Sequence, residues 1–183
     1  MKTNFYLPLW ILLVSVLLSS CVRDTDFDQA ENITLTPVVE LNLIYFNLKA
    51  NDFFDSITNT PRLTLRDTTE LPFLDDDYVQ EDLMKADFLF EFTNSIPRRF
   101  DVDFQFLDEN NANTYRTGTD VAQGSPENAQ TTTFTQTVEG NDLAELTTSS
   151  KVVVTVQIPS ANENLEGELN LKSKTTYYLK LQN

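Results

Sequence analysis

Histidine is absent from this chain of 183 residues, cysteine occurs once, and glycine only four times. Without histidine no Ser-His-Asp or Cys-His arrangement can exist, and the commonest general base and zinc ligand are missing together. One cysteine, Cys21, builds neither a disulfide within the chain nor a thiolate zinc or iron-sulfur site. The scarce glycines form no Gly-x-Gly-x-x-Gly or P-loop pattern. Positive charge is also short, with 13 Lys and Arg against 28 Asp and Glu and a net charge of -15. The densest basic pair, Arg98-Arg99, stands alone among acids. Binding to a phosphate backbone needs clustered cations, so nucleic acid is excluded as a partner.

A long apolar run occurs in one place. Phe5 to Leu18 carries no charge, follows the single cation Lys2, and is cut short by Ser19, Ser20, Arg23 and Asp24. That is the layout of a secretory signal, and it falls short of the roughly 20 apolar residues a membrane-crossing helix needs. Its end, Leu18-Ser19-Ser20-Cys21, resembles the lipobox of bacterial lipoproteins over residues 1–21. The resemblance implies that the Cys21 thiol takes a diacylglyceryl group, that cleavage precedes Cys21, and that the new amino terminus is acylated. Each buried methylene contributes about 0.8 kcal/mol, so two or three chains hold a protein at the membrane where one does not. The following stretch, Val22-Arg23-Asp24-Thr25-Asp26-Phe27-Asp28, resembles the surface-export signal of Bacteroidetes lipoproteins. It implies an outer-membrane anchor, with surface display favoured over a periplasmic position.

Loss of residues 1–20 removes Lys2 and no acid, leaving 12 cations against 28 acids. Residues 21–35 read as a lipidated acidic tether and 36–183 as a single domain of a size that supports one core. The chain's 13 phenylalanines recur largely in patterned runs of that domain. From Val38 to Leu48 the pattern predicts a strand with Val39, Leu41, Leu43 and Tyr45 on one face and Ile44, Phe46 and Leu48 on the other, either buried on both faces at its end or bulged near Ile44. Phe88, Phe90 and Phe92, then Phe100, Val102, Phe104 and Phe106, alternate with polar residues at period two. This predicts a hairpin turning at Asn94-Ser95-Ile96-Pro97. Asp108 to Asn113 predicts a second turn, 117–129 a surface loop, 79–85 and 141–146 short helices, and Val152, Val154, Val156 and Ile158 one face of a further strand. Leu169 to Leu181 reads as one long strand or a hairpin at Ser173-Lys174.

The fold class expected is all-β, an antiparallel β-sandwich of about seven or eight strands, loosely immunoglobulin-like. The polar strand faces are charged, as at Asp87/Glu91 and Asp101/Asp103, which argues against a lipid-facing barrel.

Chemistry is sparse. Asp75, Asp76 and Asp77 are candidate calcium ligands, without the spacing or glycine of an EF-hand loop, and otherwise form a charged loop before a helix start. The loop pair Phe53-Phe54 reads as a contact patch or as a loop folded onto the sandwich. Of the adjacent Tyr177 and Tyr178, one faces the core and one solvent. Asp55-Ser56-Ile57 and Asp67-Thr68-Thr69 resemble the short O-glycosylation motif of Bacteroidetes envelope proteins, implying Ser56 and Thr68 as acceptors on loops. The chain as a whole resembles small cell-envelope lipoproteins of Bacteroidetes. The expected function is therefore non-catalytic: a domain anchored by acyl chains on Cys21 that binds an envelope protein or glycan, with no cofactor. A carboxylate-dependent glycan hydrolase and a calcium-dependent adhesion module are the alternatives.

Overall fold

The computed structural model describes residues 34–74 and 76–182. Residues 35–181 form one compact unit. Eight strands carry it: β1 (Val38–Lys49), β2 (Thr64–Glu70), β3 (Leu83–Asn94), β4 (Phe100–Leu107), β5 (Asn113–Val121), β6 (Gln130–Val138), β7 (Lys151–Gln157) and β8 (Glu168–Leu179). They pair in two four-stranded antiparallel sheets, in the orders β1-β8-β3-β6 and β2-β7-β4-β5. The sandwich is the expected class. Its strand order is that of a jelly roll, in which the chain changes sheet at almost every connection. The single hairpin between long strands joins β4 to β5, where Asp108 closes the turn by accepting from the Ala112 N–H at 2.7 Å and Asn111 takes a left-handed φ of 65°.

The Phe-rich segments are both strands, but they do not pair as a hairpin. β3 lies in the first sheet and β4 in the second, so the turn between them is an arch. The physical reason is coverage. Paired in one sheet, the two phenylalanine rows would share a face and need a third layer; placed on opposite sheets, each row covers the other. Phe90 and Phe104 stack with centroids 4.2 Å apart, and Phe88 meets Phe106 at 5.2 Å. Phe88, Phe90, Phe92, Phe100, Phe104 and Phe106 are all fully buried, each contributing about 1.5–3 kcal/mol on transfer from water.

One buried amide holds the arch. Asn94 is 0% exposed; its Nδ2 donates to the carbonyls of Arg98 and Ala122 at 2.8 Å each, and its Oδ1 accepts the Ile96 N–H at 2.8 Å. Gly124 lies so close that a Cβ there would sit 1.9 Å from the Asn94 carbonyl, a position open only to glycine. The Ser95 N–H donates to the Glu168 carbonyl, and the Glu168 N–H returns to Ser95 Oγ, both at 2.9 Å. The arch is thereby tied to the start of β8.

Short helices close the ends: α1 (Asp77–Asp82), and α2 (Gly140–Leu146), which buries Leu143 and Leu146. Phe53 is fully buried against Phe100, with centroids 5.4 Å apart, and Phe54 is half-buried, so that pair folds onto the sandwich. Two expected loops are partly strand. Asp67–Glu70 belongs to β2, and Thr117–Val121 belongs to β5. β8 is continuous, with an irregular register between Lys172 and Lys174 where a hairpin was the other reading.

Replacing Asn94 by Leu orphans two carbonyls and one N–H at the arch, each costing about 1–3 kcal/mol when buried. Urea denaturation is expected to show a loss of about 3 kcal/mol or more for Asn94→Leu; an unchanged midpoint would mean that the arch does not depend on this amide.

Candidate functional site

Cys21, Leu18, Ser19 and Ser20, together with the tether before residue 34 and the carboxylate Asp75, lie outside the described residues. Asp76 is exposed, and its carbonyl accepts the N–H groups of Val79 and Gln80 as helix α1 begins. Among the described residues no three carboxylates are grouped so as to hold a metal. Ser56 is exposed in a tight turn, where Asp55 Oδ1 accepts the N–H groups of Ile57 and Thr58. Arg62 donates to Asp55 Oδ2 at 2.6 Å, and that bond, with the turn N–H groups, lowers the Asp55 pKa to about 2. Thr68 is exposed but stands on the edge strand β2, paired opposite Val153, and not on the loop expected for it.

Two surfaces that the sequence reading did not single out are built by the sheets. The first depends on a parity break in β1. Opposite the irregularity in β8, Leu43 and Ile44 both point inward and are 8% and 4% exposed. Ser173 fills the gap, its Oγ accepting the Ile44 N–H at 3.0 Å and donating to the Ile44 carbonyl at 2.6 Å. A bulge of this kind re-aims every later side chain. Tyr45, expected beside Leu43 on one face, is turned to the outside and is 82% exposed.

Tyr45 pairs across to Lys172, which faces Glu91. The flanking rows place Asn47 opposite Asn170 and Asn42 opposite Lys174. Beside this platform a groove of about 220 Å³ is lined by Asn42, Leu89, Glu91, Lys172, Ser173 and Lys174. Farther along, Lys174 bonds Glu40 at 3.1 Å, and Lys85 bonds Asp87 at 2.7 Å. Lys85 lies 4.1 Å over the half-buried Tyr178 ring, while Tyr177 is in the core, where burial pushes its pKa up to about 12. In a chain of net charge -15, this face balances Lys85, Lys172 and Lys174 against Glu40, Asp87 and Glu91. A ring with an open face, ringed by amides and by charges of both signs, can stack on an apolar ligand face while hydrogen-bonding its rim.

The second surface is a depression of about 390 Å³ on the outside of the other sheet, lined by Asp101, Asp103, Arg116, Gly118, Asp120 and Gln157 among others. Gly118 makes the hollow. It stands opposite Asp103, and a Cβ there would lie 2.7 Å from the Val102 carbonyl. On one side Arg116 Nε donates to Asp103 Oδ1 at 2.6 Å. On the other, Asp101 is directly opposite Asp120. The hydrogen bond to Asp120, then burial, raises the Asp101 pKa, while Arg99 lowers it. Register alone could have shown this pair, had the β4–β5 pairing been extended to Asp120.

No protein-family model matches the chain, and no curated protein matches it in sequence. Among solved structures, a protein of Parabacteroides distasonis designated as secreted aligns with a TM-score of 0.47 and 14% identity, covering 62% of this chain and 37% of that one. The infectious bursal disease virus VP2 subviral particle aligns with a TM-score of 0.47 and 5% identity, over 78% of this chain and 32% of VP2. The enzymatically active domain of tailspike protein 4 of bacteriophage CBA120 gives 0.39 and 11%, over 79% and 20%. The chain thus spans well under half the length of each of these structures.

Because the folded Asp101 carboxyl titrates above its ordinary range, its pairing with Asp120 supports the fold below the unfolded-state pKa and is lost as pH rises through the folded one. At neutral pH the two like charges oppose each other across the ladder. Asp120→Asn is expected to raise stability at pH 7 by about 0.2–1 kcal/mol and to leave it unchanged or lower at pH 3, read by thermal melts across that range. A loss of stability at pH 7 would contradict the pairing.

Proposed function

We propose that the chain is a lipid-anchored, non-catalytic cell-envelope module, held at the outer membrane through acyl chains on Cys21, that binds a glycan on the outer face of sheet β1-β8-β3-β6. The observation that carries this reading is Tyr45, 82% exposed beside the groove formed by Asn42, Glu91, Lys172 and Lys174. A large aromatic held open on a sheet face costs solvation unless a ligand uses it. The bulge and its Ser173 plug exist at the point that turns it outward. The ring offers an apolar plane to the C–H face of a sugar, and the neighbouring amides and ammonium groups offer donors and acceptors to its hydroxyls. Charge balance on this face lets an acidic domain approach an uncharged or anionic glycan without the repulsion its other faces impose.

Binding is favoured over hydrolysis by the chemistry at hand. Glycosidases place two carboxyl groups about 5–9.5 Å apart across the scissile bond, whereas Asp101 and Asp120, which line the larger depression, stand directly opposite each other on one β-ladder with no gap to admit a sugar. The location rests on the lipobox residues Leu18, Ser19, Ser20 and Cys21. Surface display raises the effective concentration of the binding face toward extracellular or envelope glycans.

The test has two arms. Titration calorimetry against envelope and host polysaccharide fragments is expected to show binding by the wild type and at least tenfold weaker binding by Tyr45→Ala, with no reducing sugar released. Membrane fractionation is expected to find the wild type in the outer membrane and Cys21→Ala outside it. Equal affinity of Tyr45→Ala would move the site elsewhere, sugar release would make the protein a hydrolase, and a membrane-bound Cys21→Ala would remove the anchor.

A further inference from the structure

Each four-stranded sheet has two edges, and an unpaired edge presents a row of N–H and C=O groups to any passing strand. Three of the four are protected. β2 carries Arg66, Asp67 and Glu70; β5 carries Arg116 and Asp120 and a register shift near its start; β1 carries Glu40, Lys49 and the bulge. β6 has none of these devices. Gln130 to Val138, QTTTFTQTV, holds no charge and no proline, and it pairs with β3 in unbroken register over all nine residues.

We propose that β6 is a self-association edge, pairing antiparallel with β6 of a second copy about a two-fold axis at Phe134. Four of its threonines repeat symmetrically about that residue, while Gln130 and Val138 differ, as do Thr132 and Gln136. Thr133 would meet Thr135, Thr131 would meet Thr137, and Thr132 would meet Gln136. Cross-strand threonine pairs are among the favourable ones, and an isologous interface requires such self-complementarity. Two mature chains, each with 12 cations against 28 acids, repel over most orientations, and β6 is the edge where they can meet without placing acid against acid. Phe134 is half-buried, stacked on Phe90 at 5.8 Å, and the partner's ring would cover its open side. The product is a continuous eight-stranded sheet, β1-β8-β3-β6 followed by the same four in reverse, with the two Tyr45 faces on one side. Two such faces give a bivalent surface. The inference stands on the β6 edge and not on what Tyr45 binds.

The test is sedimentation velocity of the full-length lipidated chain in density-matched detergent, beside Thr135→Lys, Thr133→Lys and Thr68→Lys, the last a control on a charged edge. Thr133, Thr135 and Thr68 are all exposed, so the fold should survive, as circular dichroism will report. The wild type and Thr68→Lys are expected at twice the protein mass of Thr135→Lys and Thr133→Lys. A wild type sedimenting as a single chain, or doubled mass retained by both β6 variants, overturns the proposal.

Discussion

The fold depends on two rows of phenylalanine that must cover each other. Phe88, Phe90 and Phe92 on β3 and Phe100, Phe104 and Phe106 on β4 are consecutive in sequence, yet they face each other across the sandwich. Aromatic burial of this size dominates a core, and it is available only if the five residues between the strands cross from one sheet to the other. Asn94 makes that crossing by doing with one side chain what a hairpin ladder would do with backbone. From a fully buried position it satisfies the Arg98 and Ala122 carbonyls and the Ile96 N–H. With a single cysteine no disulfide within the chain can hold this turn, and the buried amide does so.

The same economy shapes the surface. Most of the described acids spread over strand faces and loops, where water solvates them. The outer face of sheet β1-β8-β3-β6 departs from that rule, with lysines matched to acids and an open tyrosine. A one-residue bulge produces it. Leu43 and Ile44 both turn inward, Ser173 takes up the Ile44 backbone groups, and the parity of β1 reverses so that Tyr45 looks outward while Phe46 and Leu48 reach the core. Local backbone geometry, core packing and the candidate binding face are thus one arrangement.

Period-two alternation made the long strands legible, because each buries one face, and a bulge near Ile44 was one of two readings for a run with apolar residues on both faces. Which strand pairs with which was not readable. Alternation in β3 and β4 is the same whether they form a hairpin or an arch, and the difference lies in long-range coverage and in a buried asparagine that looks like any turn residue. The direction of Tyr45 was misread for a related reason, since parity after a bulge depends on where the extra residue sits. Thr68 was assigned to a loop because Arg66-Asp67-Thr68-Thr69-Glu70 lacks apolar residues, as an edge strand with an exposed outer face can. The open edge at β6 required the sheet order, because an uncharged Thr-rich strand has the same pattern at the edge of a sheet as inside it.

The face-to-face packing of the two phenylalanine rows is tested most directly by a double-mutant cycle on Phe90→Leu and Phe104→Leu. Stacked across the sheets at 4.2 Å, the pair should show a coupling energy of about 0.5–1.5 kcal/mol beyond the sum of the single losses. A coupling indistinguishable from zero would mean that the two rings do not meet, and the arch on which the structure rests would be wrong.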